Sequence, residues 1–215
     1  MIDTVLIDFD GTLMNTREGI VNSWKHLYKV TRNIEPEEEV LKVTFGEPLR
    51  TSLEKFFPEM DPDDALAIYK EYQAKHHEQM MKPFPGVVEM VKKLKVRGFK
   101  VALVTSRGEK SSVEGLEMCG ILNCFDELIT ANKCEKHKPE PEPIYMAMER
   151  LGSAPEHTVM IGDTMYDLIS AKRAGVKSIL VGWNVLDEKP EDMGEYAPDE
   201  ILQKAEDIFD VLEKF

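Results

Sequence analysis

The chain has 215 residues, 27 of them basic and 40 acidic, so its formal net charge at pH 7 is −13. This length allows one domain, or one domain with a smaller insertion, and no apolar run approaches the roughly 18 residues of a membrane-spanning helix. The first residues lack a signal-peptide pattern and the three cysteines are too few for a disulfide scaffold, so we expect a cytoplasmic protein. The excess of acidic residues argues against a nucleic-acid partner.

Five short apolar segments, rich in β-branched residues, predict the strands of a sheet. Such runs are typical of parallel strands that are buried on both faces. Amphipathic helices are predicted between them, for example over residues 87–94 and 144–151, the second of which ends at Gly152. This alternation predicts an α/β fold with a doubly wound, Rossmann-like parallel sheet. The predicted strands are residues 5–7, 101–104, 127–130, 158–161 and 178–181.

A long insertion follows the first predicted strand. About ninety residues separate Asp10 from the second strand, whereas a strand–helix–strand crossover takes about thirty in all. The excess has helical spacing of apolar residues, as at Trp24 and Tyr28, and Asp61 followed by Pro62 predicts the start of a further helix. We therefore expect a core domain of residues 1–14 and 83–215 and an all-helical cap domain of residues 15–82. Such a cap would lie above the carboxyl ends of the strands, where open α/β sheets bind ligands.

Polar residues follow several predicted strands at this same edge of the sheet. Asp8 and Asp10 follow the first strand, and Thr105 follows the second. One such residue alone is typical of a turn or a helix N-cap, and a lone loop lysine is usually a solvated one. Carboxylates that converge repel one another, and oxygen ligands with little histidine favour Mg²⁺ over zinc. The candidate site is completed by a loop lysine and two later acids, Lys138, Asp163 and Asp167.

This combination of residue types fits phosphoryl transfer. A carboxylate can attack phosphorus and form an aspartyl-phosphate. Its repulsion from a phosphate is about 4 kcal/mol per pair of unit charges at 4 Å, with an effective dielectric near 20, so a cation and a lysine are needed to offset it. A second acid two residues on can protonate the leaving oxygen and then deprotonate a water molecule. The pattern predicts a phosphatase.

Four motifs, in order along the whole chain, resemble those of the haloacid dehalogenase-like hydrolase superfamily. They are Asp8-Phe9-Asp10-Gly11-Thr12, then Thr105, then Lys138, then Gly162-Asp163 with Asp167. The resemblance implies that Asp8 is the nucleophile and a metal ligand. It also implies that Asp10 is the general acid and base, with its main-chain carbonyl on the metal.

The resemblance also assigns roles to the remaining motif residues. Asp163 would be a direct Mg²⁺ ligand, while Asp167 would orient water or Lys138 at the metal site. Thr105 and Lys138 would hold the transferring phosphoryl group. The main-chain N–H groups of Gly11 and Ser106 would assist them.

Within the superfamily, the chain resembles the branch of phosphoglycolate phosphatase and pyrophosphatase. An acid at Asp10 favours phosphoryl transfer over dehalogenation, because a halide leaves without a proton. The resemblance implies a small phosphorylated metabolite or pyrophosphate as the substrate. Arg50, in a turn between predicted cap helices, is a candidate for a second contact to that anion, against the alternative of a surface arginine. Ser106-Arg107 departs from the Asn-Lys pair of many relatives.

The leading hypothesis is a Mg²⁺-dependent phosphatase that hydrolyses a phosphoglycolate-type phosphomonoester through an aspartyl-phosphate. An inorganic pyrophosphatase and a sugar phosphomutase are the alternatives with the same chemistry. A non-enzymatic phospho-acceptor, such as a response-regulator receiver, is disfavoured because receivers are near half this length and have no cap. We expect a monomer or a homodimer.

Overall fold

The computed structural model describes residues 1–184 and 193–215, apart from the side chains of residues 77–80. The chain divides into two compact units, Met1–Met14 with Pro83–Phe215, and Asn15–Lys82. These bounds are the ones given above to the core and the insertion, and the role of the second unit as a cap stays a prediction. Among the described residues, none of the helices has the length and apolar character needed to cross a membrane.

The elements of both units follow in chain order. The strands are β1 (Thr4–Ile7), β2 (Met14–Asn15), β3 (Lys82–Pro83), β4 (Lys100–Val104), β5 (Glu127–Ile129), β6 (Thr158–Gly162), β7 (Lys177–Val181) and β8 (Glu200–Leu202). The helices are α1 (Arg17–Arg32), α2 (Glu38–Leu41), α3 (Leu49–Phe56), α4 (Pro62–Met80), α5 (Val87–Val96), α6 (Glu109–Met118), α7 (Glu142–Leu151), α8 (Met165–Ala174) and α9 (Ile208–Leu212).

The first unit is built around a parallel sheet of six strands. Their order is β5-β4-β1-β6-β7-β8, and each pair of neighbours is parallel. Because β1 lies inside the sheet, Ile7 is paired with both Leu103 and Ile161. Asp8 therefore follows β1 between the ends of β4 and β6. This topology confirms the predicted α/β fold.

Apolar side chains of strands and helices form the core of this unit. All four residues of β1 are buried. Leu6 packs with Val104 and Met160 of the neighbouring strands and with Ile144 of α7, and full burial of one such side chain stabilises the fold by about 1.5–3 kcal/mol. Helix α7 ends at Gly152 in the left-handed conformation, as predicted. The core thus fixes the strand ends from which the polar residues project.

The second unit is all-helical and has a separate aromatic core. Trp24 of α1 packs against Phe57 and Tyr69, with ring centroids 6.3 and 5.4 Å away. Helix α4 begins as predicted, because the Asp61 side chain accepts a hydrogen bond from the Asp63 main-chain N–H at 2.8 Å. The chain enters and leaves the unit through β2 and β3, which pair with each other.

One strand of the main sheet was not predicted from the sequence. β8 has only three residues and lies at the edge of the sheet beside β7. A segment this short, which starts with Glu200 and has Ile201 half-buried, lacks the continuous apolar run that identified the other strands.

Candidate active site

A buried ammonium group joins two carboxylates at the carboxyl end of the sheet. Lys138 comes from the loop between β5 and α7, and its Nζ donates to Asp8 Oδ1 and Asp167 Oδ1, both at 2.6 Å. A third hydrogen bond, of 3.0 Å, goes to the main-chain oxygen of Val104 at the end of β4. The side chains of Lys138, Asp8 and Asp167 are almost fully buried. The three donors of the lysine therefore fix its position next to Asp8.

Asp163 adds a third carboxylate to this group. It follows β6, and oxygen atoms of Asp8, Asp163 and Asp167 lie within 4.8 Å of one another. Burial raises the pKa of Asp8 to about 7, with Lys138 acting against this rise and Asp167 adding to it. Burial also raises the pKa of Asp163, and the charges of Asp167 and Asp8 raise it further. Three carboxylates thus face one ammonium, an imbalance that a bound cation would relieve.

The donor set fits a hard divalent cation. It consists of carboxylate oxygens, which Mg²⁺ prefers, whereas zinc sites usually contain histidine or cysteine. The oxygens of Asp167 are engaged, because Oδ1 accepts from Lys138 and Oδ2 accepts from the N–H and hydroxyl of Thr164 at 3.1 and 2.8 Å. Asp163 receives none of the three hydrogen bonds of Lys138 and accepts from neutral donors, so Asp8 and Asp163 stay the candidates for direct ligands that the resemblance implies, and Asp167 the candidate for the residue that orients Lys138.

Neutral hydrogen-bond donors hold both oxygens of Asp163. Oδ1 accepts from the Thr12 hydroxyl at 3.2 Å, and Oδ2 accepts from the Asn184 amide at 2.7 Å. Trp183 next to Asn184 donates its indole N–H to the main-chain oxygen of Thr12 at 3.1 Å. The segment after β7 and the segment after β1 are thus tied together around Asp163.

Gly11 is required by the close approach of these two segments. Its φ is +81°, and a Cβ atom there would overlap Asp163 Oδ2 and Asn184 Nδ2. Its main-chain N–H donates to Met14 O at 2.8 Å. The predicted contact of this N–H with a phosphoryl group would compete with that internal bond, and it stays a prediction.

The second acid of the first motif lies beside the segment after β4. The Asp10 side chain is a quarter exposed, and its Oδ1 accepts a hydrogen bond from Arg107 Nη1 at 2.9 Å. Thr105 is buried, and its Oγ1 accepts from the Arg107 main-chain N–H at 3.1 Å. The Thr105 hydroxyl hydrogen can still be donated to a phosphoryl oxygen. Ser106 Oγ is buried and has no hydrogen-bond partner among the described residues.

Arg50 belongs to the helical unit. Its guanidinium contacts two carboxylates of that unit, Asp63 at 2.6 Å and Glu54 at 3.3 Å, and about half of the side chain is exposed. These contacts are those of a surface arginine, and the suggested second contact to the substrate anion stays a prediction.

Three residues of this site were given no role from the sequence, namely Thr12, Asn184 and Arg107. Asn184 comes three residues after the predicted strand 178–181, at the edge that already supplied Thr105. The rule that selected Thr105, a polar residue just after a parallel strand, would have selected Asn184 too. Arg107 stood out only as a departure from relatives, although it follows Thr105 by two positions.

Comparisons of the sequence and of the fold relate the chain to known proteins. The family described as haloacid dehalogenase-like hydrolase matches residues 5–181. A pyrophosphatase PpaX from Halalkalibacterium halodurans is 34% identical over 211 residues, which are 98% of this chain and 97% of that protein.

Solved structures have the same fold. A haloacid dehalogenase-like family hydrolase from Streptococcus pneumoniae has a TM-score of 0.84 at 22% identity, over 98% of each chain. A protein from Haemophilus somnus, described as a predicted phosphoglycolate phosphatase, has a TM-score of 0.82 at 21% identity, over 98% of each chain. The chain therefore belongs to the haloacid dehalogenase-like hydrolase family.

Proposed function

We propose that the protein is a Mg²⁺-dependent phosphatase that hydrolyses a small phosphorylated metabolite through an acyl phosphate of Asp8. The observation that carries the proposal is the buried Lys138, which contacts both Asp8 and Asp167 while Asp163 lies beside them. A purely structural ion pair needs one carboxylate for one lysine. A surplus of buried carboxylates is instead suited to bind a cation and, through it, a phosphate.

The metal would be held by Asp8 and Asp163, with the main-chain carbonyl of Asp10 as a further ligand. When bound, Mg²⁺ would neutralise part of the negative charge of the carboxylates and of the substrate phosphate. Thr12 and Asn184 keep the Asp163 oxygens in place by hydrogen bonds. Such support of a ligand usually affects metal affinity.

The protein side chains divide the reaction into two steps. Asp8 attacks phosphorus, the bond to the leaving oxygen breaks, and Asp10 gives its proton to that oxygen. A water molecule then attacks the phosphorus of phospho-Asp8, Asp10 takes a proton from the water, and Asp8 and inorganic phosphate are released. Thr105 donates to the phosphoryl oxygens in both steps. Lys138, whose three N–H groups contact Asp8, Asp167 and Val104, stabilises the charge that develops on these oxygens as a fixed positive charge.

Inorganic pyrophosphate is the second candidate substrate. It is favoured by the relatives named pyrophosphatase, which match nearly the whole chain at 32–34% identity. A phosphate-release panel with Mg²⁺ and with EDTA would compare phosphoglycolate, pyrophosphate, sugar phosphates and nucleotides. The substrate with the highest kcat/KM identifies the substrate class. Equal release of phosphate in Mg²⁺ and in EDTA would contradict the metal requirement.

The nucleophile is tested by Asp8→Asn, which we expect to abolish turnover because the amide cannot form the acyl phosphate. Asp210→Asn, in the exposed part of α9, is the matched control and should keep full activity. Near-normal turnover by Asp8→Asn would overturn the mechanism.

Product analysis separates a phosphatase from a phosphomutase, since only the phosphatase releases free phosphate in proportion to the substrate consumed. The alternative of a non-enzymatic phospho-acceptor is excluded by membership in a hydrolase family. A location in the cytoplasm, a lack of nucleic-acid partners, and a monomeric or homodimeric state stay predictions.

A further inference from the structure

Arg107 makes a contact with Asp10 that the two-step reaction above does not use. Its Nη1 donates to Asp10 Oδ1 at 2.9 Å. The two side chains are separated by 97 positions in the sequence, and neither is fully exposed, at 13% for Arg107 and 27% for Asp10. The pair is thus better shielded from water than an ordinary surface ion pair.

Three further contacts fix the position of Arg107. Its main-chain N–H donates to Thr105 Oγ1, and its main-chain oxygen accepts from Ala131 N at 3.0 Å. Its guanidinium carbon lies 5.2 Å from the ring centroid of Phe9, within the range of a cation–π contact. Phe9 is fully buried and directly precedes Asp10. The guanidinium is therefore held against the same segment that carries the carboxyl group.

We infer that Arg107 is a positioning residue that holds Asp10 through Oδ1 and leaves Oδ2 as the oxygen that exchanges the proton. This inference rests on the proposed function, in which Asp10 is the general acid and base. In the first step the Oδ2–H bond breaks and the proton goes to the leaving oxygen. In the second step Oδ2 takes a proton from the attacking water. A carboxyl group free to rotate would spend less time with a proton-bearing oxygen at the leaving group.

A different role for Arg107 is also conceivable from its chemistry. Arg107 Nε is buried and has no hydrogen-bond partner among the described residues, so it could donate to a second anionic group of the substrate. The two roles differ in what they affect. Binding of a substrate anion changes KM for substrates that carry that anion. Positioning of Asp10 changes the rate of the first step at saturating substrate, and only where the leaving group needs a proton, while it affects the second step equally for every substrate.

The test compares two substrates that differ in this need. One is the best alkyl phosphate of the phosphate-release panel, whose alkoxide must be protonated, and the other is p-nitrophenyl phosphate, whose phenolate leaves as a stable anion. Arg107→Met keeps an apolar contact with Phe9 but removes the donor. We expect its first-turnover rate at saturating substrate, measured by rapid quench as release of the leaving group, to fall about 10²-fold on the alkyl phosphate and by about threefold or less on p-nitrophenyl phosphate.

Three further variants provide the comparisons for Arg107→Met. Asp10→Asn should show the same selective loss of the first-turnover rate, larger in size, and Arg107→Lys should recover part of this rate on the alkyl phosphate because it keeps a cationic donor. Arg150→Met removes a comparable arginine, paired with Glu127 at 3.2 Å near the start of β5, and should leave both substrates unaffected. Thermal unfolding checks that each variant is folded.

The outcomes separate the inference from the proposed function. If Asp10→Asn shows the selective loss and Arg107→Met does not, the inference is wrong while the proposed function stands. An equal loss of the first-turnover rate on both substrates, or a change confined to KM, would also overturn the positioning role. If Asp10→Asn has no selective loss, the assigned role of Asp10 fails, and the inference fails with it.

Discussion

The two ends of the parallel sheet use ion pairs in different ways. At the amino ends of the strands, Lys177 pairs with Asp199 at 2.7 Å, and both side chains are at least one-third exposed. At the carboxyl ends, Lys138 pairs with Asp8 at a similar distance, but the two side chains are only 4% and 9% exposed. The pairs have similar geometry, and what differs is the amount of solvent around them.

The acids at the two ends accordingly have pKa values shifted in opposite directions. Burial by itself would raise the pKa of Asp199, but hydrogen bonds from Lys177 and the Ser178 N–H lower it below its ordinary value. At the other end, burial dominates and raises the pKa of Asp8 and Asp163. At the amino end, the charged groups are therefore paired and hydrogen-bonded, and they stabilise the fold. The carboxyl end holds three buried carboxylates against one lysine, a surplus of negative charge that a bound cation would offset.

The largest expected effect comes from removing the lysine at each end. We expect Lys138→Met to cost about 3–5 kcal/mol of unfolding free energy, because it leaves buried carboxylates unpaired, and to abolish turnover. Lys177→Met, the matched control, should cost about 1 kcal/mol or less and leave activity unchanged, since solvent screens that pair. Urea denaturation and phosphate release measure both. Equal costs for the two variants would contradict the comparison.

A second prediction uses two glycines with the same backbone conformation. Gly98, just before β4, has φ +85° and no atom within 4 Å of the place that a Cβ would occupy, whereas Gly11 has φ +81° and faces Asp163. Gly98→Ala should cost about 1–3 kcal/mol for the left-handed conformation alone. Gly11→Ala should cost about 1–3 kcal/mol more, because of overlap, and should lose activity. Thermal unfolding of the two variants gives the difference, and a smaller cost for Gly11→Ala would refute the close approach.

The third prediction concerns pH and the metal. Without metal, native Asp8 keeps its proton up to about pH 7, whereas an unfolded aspartate loses it near 4. The native state then binds more protons in this window, so the unfolding free energy in EDTA should fall as pH rises from about 4 to about 7. Mg²⁺ at about 100 times its Kd should restore about 2.7 kcal/mol at pH 8, and less at pH 5, where it competes with the proton.

Thermal unfolding at pH 5, 6, 7 and 8, with Mg²⁺ and with EDTA, checks this prediction. Asp199 provides an internal contrast, because its lowered pKa gives stability that is present above about pH 4 and is lost only at more acidic pH. A stabilisation by Mg²⁺ that does not change between pH 5 and pH 8 would contradict the raised pKa of Asp8.

The sequence predicted the fold and most of the acids of the site for a simple geometric reason. Parallel strands end at the same edge, so residues such as Asp8, Thr105 and Asp163 come together once the strands are recognised. Lys138 lies in a loop, 130 positions from Asp8. The periodicity of apolar residues does not indicate which way a loop side chain points. Phosphoryl transfer calls for a positive charge such as that of a lysine, and the resemblance to a family assigns this role to Lys138, which stays a prediction.

Contacts between side chains could not be predicted in the same way. The pairing of Arg107 with Asp10, and of Asn184 with Asp163, depends on rotamers that the packing around them selects. The three-residue strand β8 was missed because so short a segment has no measurable pattern. The sequence thus indicates which residues share an edge of the sheet, while their partners depend on the packed structure.

The smallest expected effect concerns one neutral donor at each end of the sheet. Asn184→Ala removes the amide that holds Asp163 Oδ2, and Ser178→Ala removes a hydroxyl that donates to Asp199 Oδ2 at 3.2 Å. Loss of a residue that supports a metal ligand typically weakens metal affinity by about 10–100-fold, so Asn184→Ala should shift the Mg²⁺ dependence of activity by this factor. Ser178→Ala should change only stability, by about 1 kcal/mol. A Mg²⁺ titration of both variants decides whether neutral donors at the carboxyl end serve the ligand, and an unchanged midpoint in Asn184→Ala would mean that Asp163 keeps its position without them.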